Sequence, residues 1–312
     1  MREQYEQARR FIYQNARPLD LARWQYHFEG GSRENVLYAL SYYQNPDGGF
    51  GSGLEADAWN PASSPIQTWA ATKILREIDF EDAAHPIVQG ILRYLDSGDG
   101  FSSEHNQWLN CVPSNNDYPH AVWWEYKDGA DEFAYNPSAS LAGFLIRFAD
   151  PKSSLYEKGA VIARQAFEYF IGHVPFEEQH ITVCFIQLFE DCEKAGADLL
   201  DMALFRDKLR EQVHKNICQD TEKWGRDYVA MPSDFISGPD SLFYEDNREL
   251  ADDECAFLQS SQQTDGAYAV TWRWWTDYKE FEIAANWWKS SLIIANMRYL
   301  KACGKLHMDE TV

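Results

Sequence analysis

The chain has 312 residues, and 28 Lys and Arg residues against 49 Asp and Glu residues give it a formal charge of −21. This charge disfavours nucleic acids and anionic membrane surfaces as partners, because both would repel it. Aromatic residues make up 15% of the chain, which excludes the composition of a disordered protein.

The sequence shows no sign of export, membrane insertion or division into domains. Its N-terminal segment has no apolar stretch of the secretory kind, and no run of about 18 apolar residues predicts a membrane span. Six cysteines are scattered without Cys-x-x-Cys pairing, which favours reduced thiols and a cytoplasmic location. No Gly/Ser-rich or Pro-rich linker interrupts the chain, so we predict a single domain over residues 1–312.

The periodicity of apolar residues predicts an all-α protein. They recur at i, i+3, i+4 and i+7, whereas the alternation of period two that marks strands is almost absent. Ser64-Pro65 and Asn136-Pro137 are predicted to be N-cap and N1 pairs, and Gly304 is predicted to follow the last helix as its C′ residue. The predicted helices span 3–15, 33–44, 65–78, 84–95, 138–149, 154–172, 179–195, 199–218, 247–262 and 282–302.

Short and long connections alternate between these helices. In antiparallel helical hairpins this alternation gathers the long connections at one end, where loops commonly carry function. The long connections lie near residues 45–63, 96–136, 219–246 and 263–281.

Two turns repeat the pattern Gln-x-x-Asp-Gly-x-aromatic, at residues 44–50 and 262–268, and residues 96–101 hold a degenerate copy. Asp-Gly favours a turn in which the glycine adopts positive φ. The glutamine amide is able to tie the helix end to the turn, while the ring packs between neighbouring hairpins. We therefore predict a structural role for these residues and no contact with substrate.

These turns resemble the QW motifs of the prenyltransferase/squalene-cyclase (terpenoid cyclase) superfamily, and Ser63-Ser-Pro-Ile-Gln-Thr-Trp69 is similar to the segment that opens an inner helix in triterpene cyclases. The overall pattern is similar to small bacterial proteins labelled prenyltransferase-like. The resemblance implies an (α/α) toroid of five or six helical hairpins with a central cavity. Because the shared motifs are structural, they are a guide to fold rather than to reaction.

The chain departs from the superfamily in its acidic motifs. A class II cyclase carries Asp-x-Asp-Asp, for which Glu55-Ala-Asp57 is the nearest equivalent, and a class I synthase carries Asp-Asp-x-x-Asp, which Asp252-Asp253-Glu254 matches only superficially. Protein prenyltransferases bind zinc through Asp, Cys and His. Asp253 and Cys255 match two of these ligands, but no His follows at a convincing position. We predict no metal and no other cofactor.

The first candidate site lies in the loop before the helix at 65–78. Glu55 and Asp57 are the predicted catalytic acid and its partner, and Trp59 is a predicted substrate contact. A carboxyl group that faces an apolar, aromatic cavity has a raised pKa and stays protonated near neutral pH. Alternatively, the pair is part of a solvated loop at a helix N-terminus.

Two further groups are rich in rings and carboxylates. Trp123 and Trp124 are predicted substrate contacts beside Glu125, a third candidate catalytic acid; alternatively, the rings fold back into the core. The second group consists of Trp272, Trp275, Asp277, Glu282 and Asn286. These residues are predicted either to line a pocket or to close the ring of helices against the first hairpin.

Three functions remain open. An enzyme acting on an isoprenoid or similar apolar substrate would use the rings to stabilise carbocations and a carboxyl group to move the proton. A carbohydrate-active enzyme, glycosidase-like or lyase-like, would use the same residues as stacking platforms and acid–base pair. The third alternative is a non-catalytic protein whose cavity binds a small ligand or a partner.

Overall fold

The computed structural model describes residues 2–306 and is mostly helical there, which confirms the all-α prediction. None of its helices is long and apolar enough to cross a membrane. The one sheet among residues 2–306 is an antiparallel pair, β1 (Phe101–Ser102) and β2 (Gln107–Trp108). The helices are α1 (Arg2–Asn15), α2 (Pro18–Phe28), α3 (Arg33–Ser41), α4 (Pro65–Glu77), α5 (Pro86–Ser97), α6 (Ser138–Phe148), α7 (Ser154–His173), α8 (Gln179–Ala195), α9 (Met202–Asn216), α10 (Arg248–Ser261) and α11 (Phe281–Ala302).

Ten of these helices match predicted ones, and α2 was missed. Its buried face includes Asp20 and Arg23, which pair at 2.9 Å, so two charged residues interrupt the apolar pattern in the sequence. The helix also lacks a side-chain cap at Arg17.

The predicted helix ends are confirmed at two places and wrong at one. Ser64 caps α4 by accepting a hydrogen bond from the Gln67 backbone N–H, and Gly304 has φ +67° after the last residue of α11. The Asn136-Pro137 prediction is wrong: α6 begins at Ser138, and Pro137 occupies the N-cap position without a side-chain hydrogen bond. Proline has no side-chain acceptor to offer there.

The residues group into two compact units. Unit 1 contains residues 2–39, 213–273 and 279–306 of the described chain, and unit 2 contains Leu40–Gln212 and Trp274–Tyr278. In unit 1, α11 packs against α1, α2 and α10. In unit 2, α6 packs against α7 and α8 and also touches α4 and α5. The single domain expected from the absence of a linker stays a prediction.

Helix α6 lies at the centre of unit 2 because nearly all of its residues are small or apolar. All of its residues except Arg147 are buried. Gly143 allows α6 to approach α8 closely, since a Cβ atom there would lie 3.0 Å from the Leu188 Cα atom. The approach positions the part of α8 around Leu188 and Asp191 beside α6.

The turn after α3 has the hydrogen bonds expected of its sequence. The Gln44 Nε2 donates to the backbone oxygens of Gly48, at 2.9 Å, and Ile87, at 3.0 Å, which ties the turn to the start of α5. The Asp47 carboxylate accepts from the Gly49 N–H at 2.9 Å, and the Phe50 ring is fully buried. The predicted structural role of this turn is confirmed.

The second turn, in unit 1, has the same arrangement. Gln262 donates to the backbone oxygens of Gly266, at 2.9 Å, and Gln4, at 3.0 Å, and the Asp265 carboxylate accepts from the Ala267 N–H. The Tyr268 ring is buried. Each turn therefore binds a neighbouring helix through its glutamine.

The glycine of the first turn is predicted to be essential for stability. Gly48 has φ +99°, and a Cβ atom there would lie 2.1 Å from the Gly90 backbone oxygen. We expect Gly48→Ala to lower the free energy of unfolding by about 3 kcal/mol or more, since backbone strain and a steric clash act together. Urea denaturation followed by circular dichroism measures this loss.

Gly98→Ala is the matched control. Gly98 has φ +87°, but a Cβ atom there would meet no atom within 4 Å. This variant carries the strain without the clash, so we expect a loss of about 1–2 kcal/mol. If the free energy of unfolding fell equally in the two variants, the close packing at Gly48 would contribute nothing to stability.

Unit 1 contains a buried carboxyl group on α10. Glu254 is fully buried; its Oε1 accepts from the Ser233 Oγ at 2.6 Å and its Oε2 accepts from the Ser233 N–H at 2.7 Å. Burial raises the pKa of Glu254 from 4.5 to about 8, against the effect of the Ser233 hydrogen bond. The folded protein therefore holds this proton at neutral pH.

This proton makes stability depend on pH. Between about pH 4.5 and 8 the unfolded chain loses the Glu254 proton while the folded chain keeps it, so the free energy of unfolding falls as pH rises. The slope approaches about 1.4 kcal/mol per pH unit for one group. Glu254→Gln is expected to lower the slope of the profile measured by urea denaturation across that range by the contribution of one group. The exposed Glu249→Gln on the same helix is the control, and a Glu254→Gln profile parallel to wild type would contradict the prediction.

Candidate functional site

The buried carboxylates of unit 2 lie in the loop before α4. Gln67, on the first turns of α4, holds this loop: its Oε1 accepts from the Glu55 N–H at 2.8 Å, and its Nε2 donates to the Ala58 oxygen at 2.6 Å. The Asp57 N–H donates to the Glu55 Oε2 at 3.0 Å. These bonds turn both acidic side chains into the protein, where Glu55 is 9% exposed and Asp57 is 3% exposed.

Two other loop segments meet this pair. The Ala121 N–H donates to the Asp57 backbone oxygen, and the Val122 N–H donates to the Trp274 backbone oxygen, each at 2.9 Å. The Trp274 indole N–H donates to the Asp57 Oδ1 at 2.6 Å. Asp57 is therefore fixed by residues from two distant parts of the sequence.

Aromatic rings surround the two carboxylates. The Trp59 and Trp274 rings lie edge to face, with centroids 6.1 Å apart, and Trp274 is buried. The Trp124 indole nitrogen is buried without a hydrogen bond of ordinary geometry, yet it is near enough to the Glu55 carboxyl group to favour its charged form. Glu55 therefore has aromatic, apolar surroundings on the side that faces these tryptophan rings.

The two carboxyl groups have different environments. Burial and, to a smaller extent, the charge of Asp57 raise the pKa of Glu55 from 4.5 to about 8, while Lys73 acts against both. Asp57 accepts a hydrogen bond from an indole N–H, which favours the ionised form of a carboxylate. The pair therefore combines a proton donor at neutral pH with a hydrogen-bonded carboxylate. Acid–base catalytic sites use such pairs, in which the surroundings move the two pKa values apart.

A histidine lies next to this pair. His120 forms a backbone bridge with Ala58, and its ring lies 5.5 Å from the Tyr278 ring. The His120 Nδ1 lies 2.6 Å from the Tyr118 backbone oxygen. Because a carbonyl oxygen only accepts, Nδ1 carries the proton in the neutral ring and Nε2 is the basic nitrogen.

The same region of unit 2 extends to α4 and α8. The Lys73 ammonium lies 4.0 Å from the centre of the Trp69 ring, and the Trp69 indole N–H donates to the Gln187 Oε1 at 2.8 Å. His180 lies at the start of α8, and its side chain reaches solvent. Desolvation by the surrounding protein lowers the pKa of His180, whereas the charge of Glu178 raises it. The charge of Lys73 reaches both Glu55 and His180.

The predicted site residues are distributed unevenly. The structure brings Glu55, Asp57, Trp59 and Trp124 together, but it leaves Glu125 on the surface, paired with Lys127 at 2.9 Å. That ion pair lowers the pKa of Glu125, whereas the pKa of the buried Glu55 is raised.

Two predicted aromatic contacts are exposed in unit 2. Trp123 is 39% exposed and Trp275 is 76% exposed, and Asp277, two residues after Trp275, is also exposed. Trp275 has φ +57°, a conformation that bulky residues rarely adopt.

The remaining predicted contacts lie in unit 1. Trp272 packs edge to face against Tyr228 and Trp288. Glu282 is exposed on the first turn of α11, and the Asn286 amide donates to the Asn15 backbone oxygen at the end of α1. No group of three or more potential metal ligands occurs among residues 2–306.

Sequence reasoning missed the residues of α4 and α8. Trp69 and Lys73 are at i and i+4, a spacing that places them on one helix face and was available as a signal. Gln187 carried no local signal, since its role depends on contact with Trp69 from another helix. No family model, curated protein or solved structure matches the chain.

Proposed function

We propose that unit 2 carries an acid–base catalytic site in which Glu55 donates a proton to an apolar substrate of the isoprenoid type. The observation that carries the proposal is the buried pair Glu55 and Asp57, placed among Trp59, Trp124 and Trp274. A protonated carboxyl group in an apolar site is a strong donor to an alkene. Indole faces stabilise the carbocation that results.

The roles follow from the contacts. Glu55 holds the proton at neutral pH because burial and the charge of Asp57 oppose its loss. Asp57, held by the Trp274 indole N–H, keeps that opposing charge in a fixed place. His120 Nε2 is the nearby base available to accept a proton from the substrate cation.

A D₂O exchange assay tests the proposal whatever the product of the reaction is. The protein is incubated with a panel of isoprenoid alkenes, alcohols and carboxylic acids in D₂O, and deuterium incorporation is measured by mass spectrometry. Protonation of an alkene by Glu55 followed by deprotonation leaves deuterium on carbon. The proposal predicts incorporation into at least one member that is lost in Glu55→Gln. Incorporation that is unchanged in Glu55→Gln would refute it.

A carbohydrate-active enzyme is the second candidate. The exposure of the Trp123 and Trp275 rings favours it, because exposed indoles stack on sugars. Adding soluble oligosaccharides to the same panel, with native mass spectrometry for binding and product analysis for cleavage, separates the two candidates. Cleavage without isoprenoid exchange would select the second.

We also propose the (α/α) toroid and the membership of the prenyltransferase/squalene-cyclase superfamily that the sequence motifs imply. The two glutamine turns support this proposal, because each ties a helix end to a neighbouring helix by the same pair of hydrogen bonds. A crystal structure tests it: a closed ring of alternating inner and outer helices is expected, and an open arrangement would refute the toroid.

A further inference from the structure

Two of the six cysteines are in contact in unit 1. Cys255 lies on α10 and is 1% exposed, whereas Cys303 directly follows α11 and is half-buried. The Cys255 thiol donates a hydrogen bond to the Cys303 sulfur. The two sulfur atoms are therefore neighbours, although they are 48 positions apart along the chain.

The packing of α10 against α11 fixes this contact. One helical turn earlier on each helix, the Tyr299 hydroxyl donates to the Ala251 backbone oxygen at 3.3 Å. Ala251 and Cys255 are i and i+4 on α10, and Tyr299 and Cys303 have the same spacing at the end of α11, so each pair lies on one side of its helix. The Cys303 N–H donates to the Tyr299 backbone oxygen at 2.9 Å, which holds Cys303 in the helical turn.

We propose that Cys255 and Cys303 form a redox-active thiol pair, which a peroxide oxidises to a disulfide that joins α10 to the end of α11. Sulfur atoms in hydrogen-bond contact need to approach by only about 2 Å or less to reach the length of a disulfide bond, about 2.05 Å. The inference concerns unit 1 and does not depend on the function proposed for unit 2.

Cys303 is the thiol that reacts first. It is the more exposed of the two, and its sulfur accepts hydrogen bonds from Cys255 and Tyr299, which favour its thiolate. The thiolate attacks one oxygen of hydrogen peroxide, the O–O bond breaks, and the products are a sulfenic acid and, after protonation, water.

Cys255 then completes the disulfide. Its thiolate attacks the Cys303 sulfur, the S–O bond breaks, and a second water leaves. The two thiols lose two electrons and two protons in total, and the peroxide is reduced to two waters. Because burial raises the pKa of Cys255 to about 12 and also raises that of Cys303, we expect the oxidation to be slow at neutral pH and to accelerate as pH rises.

Peptide mapping of the full chain tests the pair. The reduced protein is treated with hydrogen peroxide, the remaining thiols are blocked with N-ethylmaleimide, and a digest is analysed by mass spectrometry without reductant. We expect one crosslinked peptide pair, which contains Cys255 and Cys303 and disappears after treatment with dithiothreitol. Because the crosslink closes a loop of about 48 residues, the unfolding equilibrium constant in urea is expected to fall by roughly 10²–10³-fold on oxidation.

Three serine variants show which thiols are used. Cys255→Ser and Cys303→Ser are each expected to abolish the crosslink and the increase in stability. Cys218→Ser is the matched control, because it removes another half-buried thiol of unit 1, whose sulfur donates to the Asp220 backbone oxygen. It is expected to form the crosslink like wild type. Circular dichroism of the reduced variants checks their folding, and Cys303→Ser, at the half-buried position, carries the test if Cys255→Ser does not fold.

Several results would overturn the thiol pair. These are a crosslink between any other two cysteines, a crosslink that forms only in urea, sulfinic acid at Cys303 without a crosslink, and a crosslink that persists in Cys303→Ser. A disulfide that lowers stability against urea would also overturn it, because the native packing would then not place the two sulfur atoms for bond formation.

Discussion

Replacing Glu55 by glutamine is expected to reduce proton transfer to substrate by about 10²–10⁴-fold, the usual contribution of a general acid. Glutamine keeps the size of the side chain and its acceptor oxygen for the Asp57 N–H, so the loop geometry is retained. The measurement is the rate of deuterium incorporation in D₂O. The exposed Glu104→Gln in the β1–β2 hairpin is the control for an unspecific loss of charge.

The pH dependence of the wild-type rate provides a second signature of the same acid. The active form of Glu55 is protonated, so the rate falls as pH rises through its pKa of about 8. Asp57→Asn removes the neighbouring charge that helps to raise this pKa, and it is expected to move the fall to lower pH. A rate that rises through that range, or an unchanged profile in Asp57→Asn, would contradict the assignment.

Removing Asp191 is expected to cause a large loss of stability in unit 2. The Asp191 carboxylate is buried and accepts from the Arg76 Nε at 3.1 Å and the Arg147 Nη1 at 3.3 Å. Asp191→Ala leaves the largely buried Arg76 guanidinium without its counter-ion and leaves Arg147 with only the exposed Glu81, at 3.9 Å. The expected decrease in the free energy of unfolding is about 3–5 kcal/mol, measured by urea denaturation.

Glu193→Ala, on the same helix, is the matched control. Glu193 pairs with Arg206 at 2.7 Å, but both side chains are exposed. A surface ion pair is screened by water and contributes at most about 1 kcal/mol. If the two variants lost the same stability, the buried network at Asp191 would have no special role in holding α4, α6 and α8 together.

The helices were predictable from the sequence where their apolar pattern was uninterrupted. Helix α6 was found within a residue or two, because its face is continuously apolar. Helix α2 was missed because its buried face carries Asp20 and Arg23, whose pairing only the folded chain reveals. The start of α6 was predicted at the right residue, but its cap was not, because an Asn-Pro pair has the composition of a cap without its hydrogen bond.

The candidate site was predictable only where its chemistry is local. Glu55 and Asp57 are two residues apart beside a tryptophan, so the pair was visible in the sequence. Trp124 and Glu125 are neighbours in the sequence, but the Trp124 indole nitrogen is buried near Glu55 whereas Glu125 reaches solvent and binds Lys127. The contact between Trp69 and Gln187 joins two helices more than 100 residues apart along the chain, and no local pattern encodes it.

We propose that Glu55 is a buried acid that keeps its proton at neutral pH, and a measurement of its pKa tests this directly. Glutamate-selective ¹³C labelling allows the side-chain carboxyl carbons to be titrated by NMR, and the resonance that disappears in Glu55→Gln identifies Glu55. The structure predicts a midpoint near pH 8, well above the ordinary glutamate value of 4.5. A midpoint near 4.5 would contradict the claim and leave Glu55 as an ordinary ionised carboxylate in a loop.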